Sequence, residues 1–214
     1  MGKPRAAKPV KLFAGLLSGD ADLLRRARQL LIKRWGPSDL ESDVWPFTQT
    51  DYYEAEMGPG LQRLFVSFER LIPPDELACI KLETNAVERQ MHEDCVAVEV
   101  ARPVNIDPGY LDLNKLVLAT TKDAGHRVYV GHGIYAEVTL RYYYGGWQTE
   151  RWTYPDYTTP EYHKFFVQVR ERYRRQVREV MGAGPQRDGN GQMGNGSTAP
   201  DAPPEAGPSL ADPP

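Results

Sequence analysis

Val10-Lys-Leu-Phe-Ala-Gly-Leu-Leu17, followed by Ser18-Gly19 and then Asp20 to Trp35, decides how the rest of the chain is read. The first run is apolar, short and closed by turn residues, so it predicts a buried strand. The second places Leu23, Ala27, Leu30, Leu31 and Trp35 on one face at helical spacing. Ser18 or Asp20 is placed to cap it, and Gly36-Pro37 to stop it. A strand feeding an amphipathic helix opens the chain. Arg25, Arg26, Arg28, Lys33 and Arg34 fall on the other side of that helix and read as a solvated face.

Working outward, Leu40 to Tyr53 is rich in β-formers and predicts a strand, with Pro46 marking an edge or a bulge. Gly58-Pro59-Gly60 is a turn. Leu61 to Ile72 sets Leu64, Val66 and Phe68 against Arg63, Ser67 and Glu69, a second strand antiparallel to it. Pro73-Pro74-Asp75-Glu76 opens a helix that carries Leu77, Ile80, Thr84, Val87 and Met91 on its apolar face. Cys95 to Ile106 predicts a further strand. The order β-α-β-β-α-β predicts an α+β fold with a ferredoxin-like core, two helices on one face of an antiparallel sheet.

Beyond that core, Asp107-Pro108-Gly109-Tyr110 reads as a type II turn. Leu111 to Thr121 fits one or two helical turns. His126 to Val130 and Gly133 to Tyr144 predict strands around Gly131-His132-Gly133, and Gly145-Gly146 a hairpin into Trp147 to Trp152. Thr159-Pro160-Glu161 starts a long C-terminal helix, striped by Tyr162, Phe165, Phe166, Val169, Tyr173 and Val177. The expected organisation is one domain over 1–182, its first eight or so residues disordered, and a disordered Gly/Pro-rich tail over 183–214.

Composition narrows the class. The 214 residues are 41% hydrophobic and 26% charged, an ordinary globular balance. The net charge of −3 equals that of residues 183–214, which hold one Arg and four acids. The remainder is near neutral and has no global field for a polyanion. Two cysteines, Cys79 and Cys95, do not make a disulfide framework and read as reduced thiols. His92 lies three before Cys95, but no second pair has zinc spacing, so no metal is assigned. The basic N-terminus is not followed by a signal-type apolar run, and Ala6 stands where a myristoylation signal wants Ser or Thr. The expected compartment is the cytoplasm.

Most catalytic motifs are absent. No phosphate loop is present, and Asn114-Lys115-Leu116-Val117 lacks the Asp of a guanine-reading motif. Gly-x-Gly-x-x-Gly, Gly-x-Ser-x-Gly and His-Glu-x-x-His do not occur. No His is followed two residues later by Ser or Thr, which excludes a two-histidine phosphoesterase. No Rossmann cofactor site is indicated, and the cofactor, if any, is left unknown.

The most site-like stretch is Thr120-Thr121-Lys122-Asp123-Ala124-Gly125-His126-Arg127. Hydroxyls and cations together suit a phosphate or carboxylate. Lys122, Arg127, Thr120 and Thr121 are the candidate anion clamps, and Tyr110 and Asp156 further ligand contacts. His126 is the candidate acid or base, with Asp107 and Glu137 as catalytic carboxylates. Asp107 also suits a purely structural turn role, and Glu137 an ion pair with Arg127 or Arg141. Asp51-Tyr52-Tyr53-Glu54-Ala55-Glu56 offers three further acids beside a turn. The expected activity is a small-molecule enzyme or binding protein with an anionic ligand, which requires Lys122, His126 and Arg127 to converge with Asp107 and Glu137. The alternative is an RNA- or protein-binding module using Tyr142, Tyr143, Tyr144, Trp147 and the arginine-rich last helix.

Several segments together resemble one family. They include Lys8-Pro-Val-Lys-Leu-Phe-Ala-Gly-Leu, Asp51-Tyr-Tyr-Glu, Leu64-Phe-Val-Ser-Phe-Glu, Asn105-Ile-Asp-Pro-Gly-Tyr-Leu, Lys115-Leu-Val-Leu-Ala-Thr-Thr-Lys and Trp152-Thr-Tyr-Pro-Asp-Tyr. From about Lys8 to Tyr173 the chain resembles the prokaryotic family catalogued as domain of unknown function 4416. The resemblance implies a bacterial or archaeal protein and no particular activity. Some members carry a GTP-binding label, which the missing phosphate loop does not support. Cys95 to Ala101 departs from the family pattern.

Overall fold

The computed structural model describes residues 2–95 and 100–182. Residues 2–9 have no regular secondary structure and are exposed. The expectation of a disordered tail over 183–214 lies outside the described residues.

β1 (Val10–Ser18) is buried along its whole length. Asp20 then caps α1 (Ala21–Trp35), its carboxylate accepting from the Asp22 and Leu23 amides at 2.7 and 3.2 Å. Gly36 ends the helix with φ 93°, a backbone state that favours glycine. The chain returns through β2 (Ser38–Glu41) and β3 (Trp45–Pro46), which pair with β4 (Gln62–Ile72). α3 (Leu77–Asp94) follows, and β5 (Asn105–Leu111) lies against β1. β6 (Lys115–Thr120), β7 (Val128–Gly131), β8 (Ile134–Tyr143) and β9 (Gly146–Thr149) extend the sheet. A short helix α2 (Glu54–Met57) precedes β4, and α4 (Pro160–Gly182) ends the described chain.

Among the described residues the sheet has nine strands, all pairings antiparallel, along the path β2-β4-β1-β5-β6-β8-β7 with β3 beside β4 and β9 beside β8. The fold is therefore mixed α+β. Side chains alternate between two covered faces. Leu12, Ala14 and Leu16 of β1, with Leu64, Val66 and Phe68 of β4, pack under α1 and the Ile80–Met91 side of α3. Phe13, Phe65, Leu111, Leu116 and Leu118 face the other way, onto Phe165, Phe166, Val169 and Tyr173 of α4. Phe166 sits edge-on to Phe13 and Phe65, each at 5.0 Å between centroids.

Four readings need correction. Leu40 to Tyr53 is not one strand. The ladder breaks at Ser42, whose hydroxyl accepts from the Phe65 amide at 2.9 Å, and Pro46 has no N–H to continue it. Asp107-Pro108-Gly109-Tyr110 is strand interior, paired with β1 from Gly15 to Leu12. Gly109 serves close approach rather than a turn: a Cβ there would lie 2.5 Å from the Val117 carbonyl and 2.6 Å from the Phe13 ring. The hairpin turn is Asp112–Asn114, where the Asp112 carboxylate accepts from the Asn114 and Lys115 amides at 2.7 and 2.9 Å. Leu111 to Thr121, expected as helical turns, is this turn followed by β6, whose missing alternation comes from burial on both faces, Leu116 and Leu118 under α4, Val117 and Ala119 against α3. Finally, the strand expected from Cys95 begins only at Asn105; Val96–Glu99 lie outside the described residues.

Candidate functional site

The β5–β6 ladder runs from Leu111↔Leu116 to Gly109↔Leu118 and stops, although both strands continue. The cause lies in Pro108. Ile106 directs its N–H away from β1, and by strand alternation residue 108 faces the same way but has no N–H to give to β6. Beyond this point the strands splay. The splay orphans the main chain of Ile106 from β6, and α3 takes over: Glu88 Oε1 accepts from the Ile106 N–H at 2.7 Å, and Lys81 Nζ donates to its carbonyl at 2.9 Å.

A cavity of about 400 Å³ opens at this split. Its walls come from β4 (Arg63), α3 (Lys81), the end of β5 (Asn105, Asp107), the stretch after β6 (Thr120, Thr121, Lys122), Arg127, and the turn before α4 (Tyr154, Asp156). Five cationic side chains, Arg63, Lys81, Arg102, Lys122 and Arg127, line it against two carboxylates, Asp107 and Asp156.

Arg63 is the centre of the inner wall and is 3% exposed. Its Nη2 donates to Asp156 at 3.2 Å, and its Nη1 lies 3.7 Å from Asp107. Gly15, between them on β1, leaves the space: a Cβ there would stand 3.2 Å from Arg63 Nη1 and 2.9 Å from the Phe65 ring. Lys81 Nζ is 3.5 Å from Asp107 Oδ1, and Asn105 donates to Asp107 Oδ2 at 2.6 Å. Arg102 joins Asn105 to Glu88, reaching the latter at 2.9 Å.

This wiring separates the two acids electrostatically. Burial opposes ionisation of Asp107, but Lys81 and Arg63, with the Asn105 hydrogen bond, outweigh it and hold its pKa below the ordinary carboxylate range. Burial dominates at Asp156 and raises its pKa despite Arg63. Burial also raises Tyr53, to about 12, and Tyr154 further. Both are neutral at pH 7.

At the outer rim, Lys122 Nζ contacts the Tyr52 hydroxyl at 2.7 Å. Arg127 is held from behind by Glu137, at 2.7 Å, and donates to the Tyr154 hydroxyl at 2.8 Å and the Lys122 carbonyl at 3.0 Å. Glu137 is 2% exposed and also accepts from Thr139.

The fold thus brings Thr120, Thr121, Lys122, Arg127, Asp107 and Asp156 to one cavity. Glu137 stands behind it. His126 is not in the lining; it lies 3.2 Å from Glu137 and stacks on Trp152, with ring centroids 5.2 Å apart. Tyr110 faces the other side of the sheet, against the α1 and α3 clusters. Trp147 is buried under α4, while Tyr143 and Tyr144 are exposed. Cys79 is exposed and Cys95 half-buried, both free thiols. Among the described residues no group of three or more His, Cys, Asp or Glu is placed to hold a metal ion, and no helix is long and apolar enough to cross a membrane.

Arg63, Lys81, Arg102 and Asn105 were not singled out from sequence. Two had readable signals. Arg63 shares its strand face with Phe65, so that face is covered rather than solvated. Lys81 and Glu88 fall with Leu77 and Thr84 on the inward side of α3.

Comparison with known proteins adds the family and nothing further about activity. No curated protein and no solved structure matches the chain. The family model described as Domain of unknown function (DUF4416) matches residues 8–173, and the chain belongs to that family.

Proposed function

We propose that the cavity at the β5–β6 split binds a small anionic molecule, phosphorylated or carboxylated, which the chain holds or transforms. The observation that carries this reading is the excess of cations over acids in the lining, together with the hydroxyls of Thr120 and Thr121. Its volume falls in the range of small-molecule sites, about 300–1,000 Å³. If the ligand is transformed, Asp107 and Asp156 are the two carboxyls in the lining available for proton transfer, one held below and one raised above the ordinary carboxylate range. In this reading His126 acts through Glu137, which orients Arg127, and does not touch the ligand.

The core is read as ferredoxin-like. The strand order β2-β4-β1-β5, with α1 and α3 on one face, supports it. The setting assumed is the cytoplasm of a prokaryote.

Thermal unfolding with inorganic phosphate, citrate, sugar phosphates and nucleotides tests the anion site. A ligand at a hundredfold excess over its Kd stabilises the native state by about 2.7 kcal/mol. Lys122→Ala is the variant of choice, because Lys122 is exposed and pairs only with Tyr52 and not with a carboxylate among the described residues. Loss of the shift in Lys122→Ala supports the reading; absence of a shift with every anion counts against it.

A further inference from the structure

The two ends of the cavity have different chemistry, and the difference names a ligand class. This inference rests on the anion reading above and deepens it. At the rim, Lys122, Arg127, Thr120 and Thr121 present cations and hydroxyls to the cavity, while Glu137, which holds Arg127, and Asp123, next to Lys122 in the chain, are not among the lining residues. That end suits a phosphate group.

The inner end alternates donors and acceptors with valences left open. Lys81 has three N–H groups and uses one on the Ile106 carbonyl. Arg63 Nε and Nη1 are buried and have no hydrogen-bond partner. Asp107 Oδ2 accepts from Asn105, whereas Oδ1 faces Lys81 at 3.5 Å and retains open lone pairs. A buried, unpartnered guanidinium nitrogen is costly unless something accepts from it. A second anion at this end would meet Asp107 and Asp156, and a cation would meet Arg63, Lys81 and Arg102. A hydroxyl satisfies both kinds of neighbour, accepting from Arg63 or Lys81 while donating to Asp107. Two adjacent hydroxyls use the open valences of Lys81, Arg63 and Asp107 together.

We propose that the ligand is a phosphorylated polyol, with its phosphate at Lys122, Arg127, Thr120 and Thr121 and neighbouring hydroxyls at Asp107, Lys81 and Arg63. A sugar phosphate and the ribose of a nucleoside 5′-phosphate both present this chemistry. The aromatic side chains of Tyr52 and Tyr53 at the cavity edge offer an apolar surface to a sugar face or a base.

Calorimetric titration of the full chain tests it, with ribose 5-phosphate, 2-deoxyribose 5-phosphate, adenosine 5′-monophosphate and inorganic phosphate as probes. The expected order places ribose 5-phosphate or the nucleotide at least about tenfold tighter than inorganic phosphate, and 2-deoxyribose 5-phosphate about tenfold weaker than ribose 5-phosphate. The tighter of the two ribose compounds identifies the source; either supports the proposal. Asp107→Asn should weaken ribose 5-phosphate about tenfold and leave inorganic phosphate within about twofold, whereas Lys122→Ala weakens both. The deoxy comparison uses the unaltered protein, so it decides even if Asp107→Asn fails to fold. Equal affinity for inorganic phosphate, deoxyribose and ribose compounds overturns the polyol assignment and leaves the anion site standing. Failure of all four probes overturns the phosphorylated-polyol assignment, and the citrate arm of the unfolding panel then decides whether the anion site stands.

Discussion

The two halves of β5 have the same neighbours and opposite fates. From Gly109 to Leu111 the strand is zipped to β6, and its outward face is sealed under α4 by Phe13, Phe166 and Leu118. From Asn105 to Asp107 the same strand is zipped only to β1, and the face beside it carries Arg63, Lys81 and Thr120 around open space. Pro108 sits at the boundary. The zipped half shows what this chain does when it spends a strand on stability, with main-chain pairs and aromatic packing. The open half gives up main-chain pairs with β6 and sets Asp107 beside the cavity with its cations, and it recovers the lost pairs through Glu88 and Lys81. Ion pairs replace packing there, and such pairs are weak stabilisers but sensitive to the loss of one partner.

The sharpest way to break this contrast is Arg63→Ala. It leaves Asp156 buried without its cation and should cost about 3–5 kcal/mol in denaturant unfolding. Arg63→Met, which fills the space without a charge, should cost clearly less if Asp156 takes up a proton; equal costs would mean that the charge, not packing against Phe65 and Phe47, is what Arg63 provides. Next in size is Gly109→Ala at the boundary. Its Cβ meets main chain on β6, so an overpacking cost of about 1–3 kcal/mol is expected. Amide exchange should show β5–β6 protection falling on the Leu111 side as well; protection unchanged there would mean that the zipped half does not depend on close approach at Gly109. Lys122→Ala sits at the other extreme. Stability should stay within about 0.5 kcal/mol of the parent while stabilisation by phosphate compounds is lost. A large stability loss would move Lys122 from the ligand to the framework.

The smallest effect is in acid. The folded pKa of Asp107 lies below its unfolded value, so its contribution is complete above the ordinary Asp value of about 3.9 and fades as pH falls through the folded pKa. Asp156 works in the opposite sense. Its folded pKa is raised, so its contribution is present below the ordinary value and is lost as pH rises through the folded pKa. Asp107→Asn should flatten the acid limb of a stability curve, and Asp156→Asn should steepen it. Curves that move together would show that the two carboxyls titrate as one group.

Much of this was legible. The first strand and its capped helix follow from Asp20 and Gly36, and the polar segment that borders the cavity from Thr120–Arg127, because both signals are local. The inner wall was not. Arg63 shares a strand face with Phe65, which signals that the face is covered, but the alternation does not say by what. The covering element is α4, about a hundred residues later in the chain. Pro108-Gly109 looked like a turn, since the same dipeptide serves a type II turn and a splayed, closely approached strand; only the presence of Phe13 and Val117 on either side distinguishes them.

By itself the sequence determined the family, the mixed α+β character and the presence of an anion-suited segment, all carried by contiguous residues. Tertiary structure decided that Asp107 and Asp156 share Arg63, that Lys81 and Glu88 stand in for a missing strand partner, and that His126 lies outside the cavity. Those outcomes depend on strand register and on which helix seals which face. Register and sealing are set by side chains far apart in the chain, and no short run of residues encodes them.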